Sequence, residues 1–259
     1  MRSRHTQSIL PRLAAGLVPL AGLFTVLLLG GCAGPSGLAA YRHGDYAGAL
    51  REFQADDDPA GDFAVGVMAY KGEGGARDPA AAVDWFRRAA GEGHAAARYN
   101  LGLLYLRGEG VEKDHREAAR WFRLAAGQGY AKAQLNLGLM CAQGDGVAKD
   151  LPEAVRWFRL AAGQGYAKAQ IFLGGMYARG EGVAKDRREA ARWFRMAAEG
   201  GNTEAQVYIG VMYARGDGVA KDRDEAVSWL RKAAAQGSFR AQEYLERLGS
   251  AYSVGKTKG

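Results

Sequence analysis

The chain has 259 residues, 48% of them hydrophobic, and a formal net charge of +7. That content supports a substantial core, and 38 glycines against 6 prolines suit many short turns rather than disorder. The basic excess is mild and spread over mixed-charge segments, which argues against nucleic acid as a partner; the two cysteines leave no disulfide framework if one of them is otherwise engaged.

The first element is an address. Met1–Arg12 is short and basic, Leu13–Leu29 carries no charge, and Leu29–Cys32 reads LGGC. This order describes a secretory signal, 1–31, although the apolar stretch is also just long enough to span a bilayer. LGGC resembles the lipobox of bacterial lipoproteins. The resemblance implies lipidation at Cys32, which becomes the new N-terminus, and Ala33 after it implies sorting to the outer membrane with the chain facing the periplasm. Two or more acyl chains anchor stably, since each buried CH₂ contributes about 0.8 kcal/mol. Residues 32–37 are then the lipidated cysteine and a short linker, Ala33–Gly37, reaching roughly 17 Å. Residues 38–57 hold a degenerate helical pair, Tyr41–Phe53, that caps the segment after it.

From residue 58 the sequence is periodic. Trp85, Trp121, Trp157, Trp193 and Trp229 are spaced by 36 residues. They define units 58–93, 94–129, 130–165, 166–201 and 202–237, with a single capping helix to residue 249 and a tail 250–259. Each unit reads as two helices. In the third, Ala131–Gln143 places Ala133, Leu137, Met140 and Cys141 on one face. Gly144 ends that helix, and Asp150 opens the second as an N-cap, with Glu153 completing a capping box. The loop GDGVAKD, Gly144–Asp150, superficially resembles a phosphate loop, but its lysine precedes Asp and no strand leads into it. In the second helix Trp157 and Ala154 share a face, which places the tryptophan column in the core with about 200 Å² buried per ring. Arg87, Arg123, Arg159, Arg195 and Arg231 form an unvarying column whose heads are expected to meet a neighbouring helix end or carboxylate.

The consensus AxAQxxLGxxY, GxGVxKDxxEAxxWFRxAAxxG, clearest in Tyr166–Gly201, resembles the Sel1-like repeat, a relative of the tetratricopeptide repeat. Cys141 departs from it, standing where other units have Tyr105, Tyr177 and Tyr213. The resemblance implies an all-α fold, a right-handed α/α solenoid with the first helix of each pair on the concave side. Those first helices carry a second apolar stripe: Tyr99, Leu103 and Leu106; Leu135, Leu139 and Ala142; Ile171, Gly175 and Ala178; Val207, Val211 and Ala214; with Phe63, Val67 and Tyr70 in the first unit. The stripe has two readings, a ligand groove or packing between repeats. A rim of Lys132, Lys168, Arg107, Arg179 and Arg215, with Gln143 and Glu204, suits an extended peptide or amphipathic helix of an envelope protein. Phe172, Tyr208 and Tyr244 form a shorter aromatic column that either stacks on sugar rings or contacts a neighbouring helix.

Catalytic chemistry is poorly represented. His5, His43, His94 and His115 form no HExxH, no serine sits in a GxSxG elbow, and Cys141 lies in a core column. No cofactor and no metal site is expected. The sequence therefore points to a lipid-anchored, non-catalytic protein-binding adaptor, with an envelope polysaccharide-export scaffold or glycan-binding lipoprotein as the alternative.

Overall fold

The computed structural model describes residues 35–249 apart from residue 57. The signal, Cys32 and the tail lie outside the described residues. The described residues form thirteen helices and no strand. The described residues divide into two compact units, unit 1 up to Lys113 and unit 2 from Asp114.

Unit 1 contains α1 (Pro35–Arg42), α2 (Tyr46–Ala55), α3 (Pro59–Lys71), α4 (Pro79–Gly91) and α5 (Ala95–Arg107). Unit 2 contains α6 (His115–Gly127), α7 (Ala131–Gln143), α8 (Leu151–Gly163), α9 (Ala167–Arg179), α10 (Arg187–Glu199), α11 (Thr203–Arg215), α12 (Arg223–Ala235) and α13 (Phe239–Arg247). Within each unit every helix packs on the next, as expected of an α/α repeat fold.

Helix boundaries come from local chemistry. Asp150 Oδ1 accepts from the Glu153 N–H at 2.8 Å, and Asp186 and Asp222 repeat the cap at 3.0 Å. The reciprocal half of the expected capping box is replaced. The Asp150, Asp186 and Asp222 N–H groups donate instead to the carbonyls of Cys141, Tyr177 and Tyr213 at 2.8, 2.9 and 3.0 Å. Those bonds tie the start of each second helix to the end of the first. Glu153 is thus free for other partners: it accepts from Trp157 Nε1 at 3.1 Å and pairs with Arg123 at 3.6 Å.

The core column is phenylalanine, not tryptophan. Phe158 is 1% exposed, and Phe86, Phe122 and Phe194 are buried with it, whereas all five tryptophans are only half-buried. The expectation that the tryptophan column forms the core is therefore corrected: a residue beside Phe158 is rotated about 100° around the helix and lies at the flank. Among the described residues, Nε1 of Trp121 and of Trp193 is buried without a partner. The phenylalanine ring needs a glycine opposite. A Cβ at Gly138 would lie 2.7 Å from the Phe158 ring, and Gly66 and Gly174 face Phe86 and Phe194 at 2.8 and 3.0 Å. Gly37 meets Phe53 in the same way at 2.8 Å, so α1 and α2 pack with the geometry of a repeat.

The two glycines of each GxG loop have different tasks. Gly144 ends α7 in the left-handed region at φ 77°. Gly146, at φ 68°, presses on the preceding repeat: a Cβ there would lie 2.2 Å from the His115 carbonyl oxygen. Gly182 and Gly218 face the backbone of Leu151 and Arg187 in the same way, at 2.5 and 2.0 Å, and in unit 1 Gly110 stands close to Pro79. The acid between the glycines reaches the same helix start, as Asp145 to His115 and Asp217 to Arg187.

Candidate protein-binding surface

The second stripe of the first helices divides by depth. In unit 2 Leu135, Ile171 and Val207 are buried. Ile171 joins Phe194 and Ile209 in one cluster, and Val207 joins Leu230 and Leu245 in another. These three positions, groove candidates on the sequence alone, are consumed by packing between repeats. Ala142 is buried too, while Leu139, Val211, Ala178 and Ala214 keep part of their surface. In unit 1 Tyr99, Phe63 and Val67 are buried, and Leu103, Leu106 and Tyr70 are half-buried. The groove reading thus narrows to Leu103 and Leu106 in unit 1 and to Leu139 and Val211 in unit 2.

The basic rim flanks these positions. Lys168, Arg179 and Arg215 are exposed, and Lys132 and Arg107 are half-buried. Gly175, the equivalent of Leu139 and Val211, leaves a notch that Arg179 occupies, its Nη1 3.0 Å from where a Cβ would stand. Glu181 holds that guanidinium at 2.7 Å, and the bond to Arg179 keeps the Glu181 carboxyl below its usual range. In unit 1 Arg107 lies 3.9 Å from Glu109, which also accepts from the Tyr70 hydroxyl at 2.6 Å.

The arginine column of the second helices is structural. Arg87, Arg159 and Arg195 donate to the hydroxyls of Tyr105, Tyr177 and Tyr213 at 2.9, 2.7 and 2.6 Å, each on the following first helix. The expected carboxylate partner is found at Arg87, which also meets Asp84 at 3.1 Å, and at Arg123; the hydroxyl was not expected, and the 18-residue offset between the arginines and Tyr105, Tyr177 and Tyr213 is the signal for it. Where Cys141 replaces tyrosine, Arg123 turns to Glu153. Cys141 is fully buried, and burial pushes its thiol up to about 11, so it stays protonated and unreactive.

The aromatic column is engaged from within. Phe172 stacks on Phe158 at 5.4 Å. Tyr208 packs on Phe194 at 4.9 Å and donates to Glu204 at 2.8 Å; burial, then that bond, pushes its hydroxyl up to about 12. Among the described residues no group of His, Cys, Asp and Glu is placed to hold a metal ion, and no helix is long and apolar enough to cross a membrane.

The comparisons agree with this architecture. The chain is similar over 85% of its length to a Sel1 repeat protein of Oxalobacter formigenes, with 34% identity, 91% of that chain covered and a TM-score of 0.75. It is also similar to c5321, a protective antigen of uropathogenic Escherichia coli with an SLR fold, at 31% identity and a TM-score of 0.77 over 91% of this chain. It spans about half of that antigen, 54%. No curated protein matches the chain. The Sel1 repeat family model matches residues 59–94, 95–130, 131–166, 167–202 and 203–238, which is well over half of the sequence, and the chain therefore belongs to the Sel1 repeat family.

Proposed function

We propose that the chain is a non-catalytic adaptor, held by lipid on Cys32 at the outer membrane and facing the periplasm, that binds a peptide or helix of an envelope protein along its first helices. Sel1 repeat proteins generally mediate protein–protein interactions, which supports the class of function. The observation that carries the surface is in unit 2. Leu139 and Val211 keep part of their apolar area exposed at equivalent positions of α7 and α11, and at the equivalent Gly175 of α9 the Arg179 side chain lies in the space a larger residue would take. Lys168, Arg179 and Arg215 supply exposed cations on the same helices. Such a floor and rim suit a segment with apolar anchors and carboxylates.

The test is affinity capture from native envelope extract with the full-length chain and its Leu139→Glu/Val211→Glu variant. Buried Leu135 and Ile171 are unsuitable targets, because charge there would unfold the stack. A protein retained by the parent and lost from the variant supports the surface; equal retention refutes it. Cys32→Ala should abolish incorporation of labelled palmitate and release the chain from the outer-membrane fraction. Unchanged labelling would refute the anchor.

A further inference from the structure

The second helices of unit 2 hold large apolar side chains in solvent. Leu124 on α6, Leu160 on α8 and Met196 on α10 are 41%, 49% and 39% exposed. They occupy the same position in three successive repeats. One turn earlier on each helix stands an exposed arginine, Arg120, Arg156 or Arg192. Arg120 and Arg192 make i,i+3 contacts with Glu117 at 3.2 Å and Glu189 at 3.7 Å, yet remain 68% and 70% exposed. Pairs of that kind hold a guanidinium weakly and leave it open to a better partner. On α12 the two positions are Ser228 and Lys232, so the apolar row ends at α10.

Two rows therefore cross three adjacent repeats, one apolar and one cationic. The wider field has the same sign. Residues 114–249 hold 21 Lys and Arg against 16 Asp and Glu, whereas residues 35–113 hold 9 against 12, so the excess of positive charge falls in unit 2.

We propose that this face is a second docking surface, distinct from the first-helix surface, and that its occupant is an acidic amphipathic protein segment. Charge complementarity selects the carboxylates: a guanidinium presents a planar fork that a carboxylate meets with two parallel hydrogen bonds. The rows select a linear segment. Apolar side chains along one edge of an extended chain or helix meet Leu124, Leu160 and Met196, and carboxylates along the other meet the arginines. A bilayer is a plane and requires no such register.

The test uses the full-length chain in nanodiscs of neutral lipid, titrated with a short fluorescent peptide of alternating Glu and Leu. Peptides of alternating Lys and Leu, and of Glu and Ser, serve as controls. Saturable binding of the Glu–Leu peptide is expected, well above both controls and weakened by salt. Leu160→Glu should weaken it at least about tenfold. Combined Arg120→Gln, Arg156→Gln and Arg192→Gln should weaken it several-fold. The substituted side chains are exposed, so folding should be preserved, and the helical signal verifies this. Absent binding, or binding indifferent to Leu160→Glu, overturns the proposal. Phosphatidylglycerol vesicles bound through these same residues, with no peptide binding, would overturn it in favour of a lipid surface.

Discussion

Units 1 and 2 meet the same backbone requirement with different chemistry. The C-terminal carbonyls of a second helix need donors. In unit 2 the carbonyls of Ala126, Ala162 and Ala198 receive the buried amides of Gln134, Gln170 and Gln206 at 3.1, 3.1 and 3.3 Å. Gln164 and Gln236 extend the chain of amides to Gln134 and Gln206. In unit 1 the corresponding column is charged: Arg98 Nε donates to the Ala90 carbonyl at 2.9 Å, and Asp62, 3% exposed, meets Arg88 at 3.2 Å. The N-caps differ likewise, with an imidazole at His94 in unit 1 and the neutral amide of Asn202 in unit 2. The difference teaches that the repeat fixes where a donor or acceptor must stand and leaves its chemistry open. The imidazole at His94 makes the start of α5 responsive to pH, and the amide of Asn202 at the equivalent position of unit 2 does not ionise.

The largest expected effect tests what the units share. Phe86→Ala in unit 1 and Phe158→Ala in unit 2 should each destabilise by about 3–5 kcal/mol, because each removes a buried ring that a facing glycine was shaped to receive. Trp157→Ala, at the half-buried flank, should cost less, about 1–2 kcal/mol. Urea unfolding of the variants measures both. A tryptophan loss equal to the phenylalanine loss would return the core to the tryptophan column, and unequal phenylalanine losses would show that the units differ in packing as well as in polar chemistry.

A second contrast lies within one loop. Gly146→Ala should cost more than about 2 kcal/mol, because a left-handed residue acquires a Cβ against the His115 backbone. Gly144→Ala should cost about 1–2 kcal/mol, the conformational part alone, since its nearest neighbour is the Lys149 side chain at 3.1 Å. Gly110 and Gly108 are the equivalent pair in unit 1 and should show the same order. Equal losses at both glycines would remove the contact between repeats from the account.

Much of this was readable in the sequence, and the misses share one cause. The 36-residue period gave the number of repeats, and Gly144 and Asp150 gave helix ends, because caps act within a few residues of themselves. The tryptophan column misled because conspicuous size is not depth; the modest Gly138 opposite Phe158 marks the true core. At the candidate surface the stripe was visible, but its division into buried Leu135, Ile171 and Val207 and open Leu139 and Val211 was not. That division depends on the following helix pair, which periodicity along one helix does not see. Gly146 and the reach of Arg159 to Tyr177 are likewise contacts between repeats.

A smaller effect sharpens the polar comparison. Gln134→Leu removes one of two donors to the Ala126 carbonyl, which keeps the Gly129 N–H at 3.0 Å, and one of two acceptors of the Gln164 amide, and should cost about 0.5–1.5 kcal/mol. Arg98→Leu should cost unit 1 a similar amount through the Ala90 carbonyl. Hydrogen exchange at the ends of α8 and α6 for the first variant, and of α4 for the second, localises the loss. Exchange that stays unchanged near the affected carbonyl would show that water serves it as well as a side chain does.

The smallest effect concerns pH and separates the units most directly. His94 Nδ1 accepts from the Ala97 N–H at 3.2 Å, and its ring lies 4.6 Å from Phe63. Burial lowers its pKa below the ordinary value near 6.5, outweighing the attraction of the Asp58 carboxylate. As pH falls, the unfolded chain takes up the proton first. The contribution of His94 is therefore intact above the ordinary imidazole range and is lost as pH falls through the lowered folded value. Protonation also turns Nδ1 from acceptor into donor, which abolishes the cap. Relative to the intrinsic rate, hydrogen exchange at the start of α5 should accelerate as pH falls below about 6.5, while the start of α11, capped by Asn202, keeps its protection. His94→Asn should flatten the α5 response while preserving the cap. An α5 that responds equally with asparagine in place would remove His94 from the account.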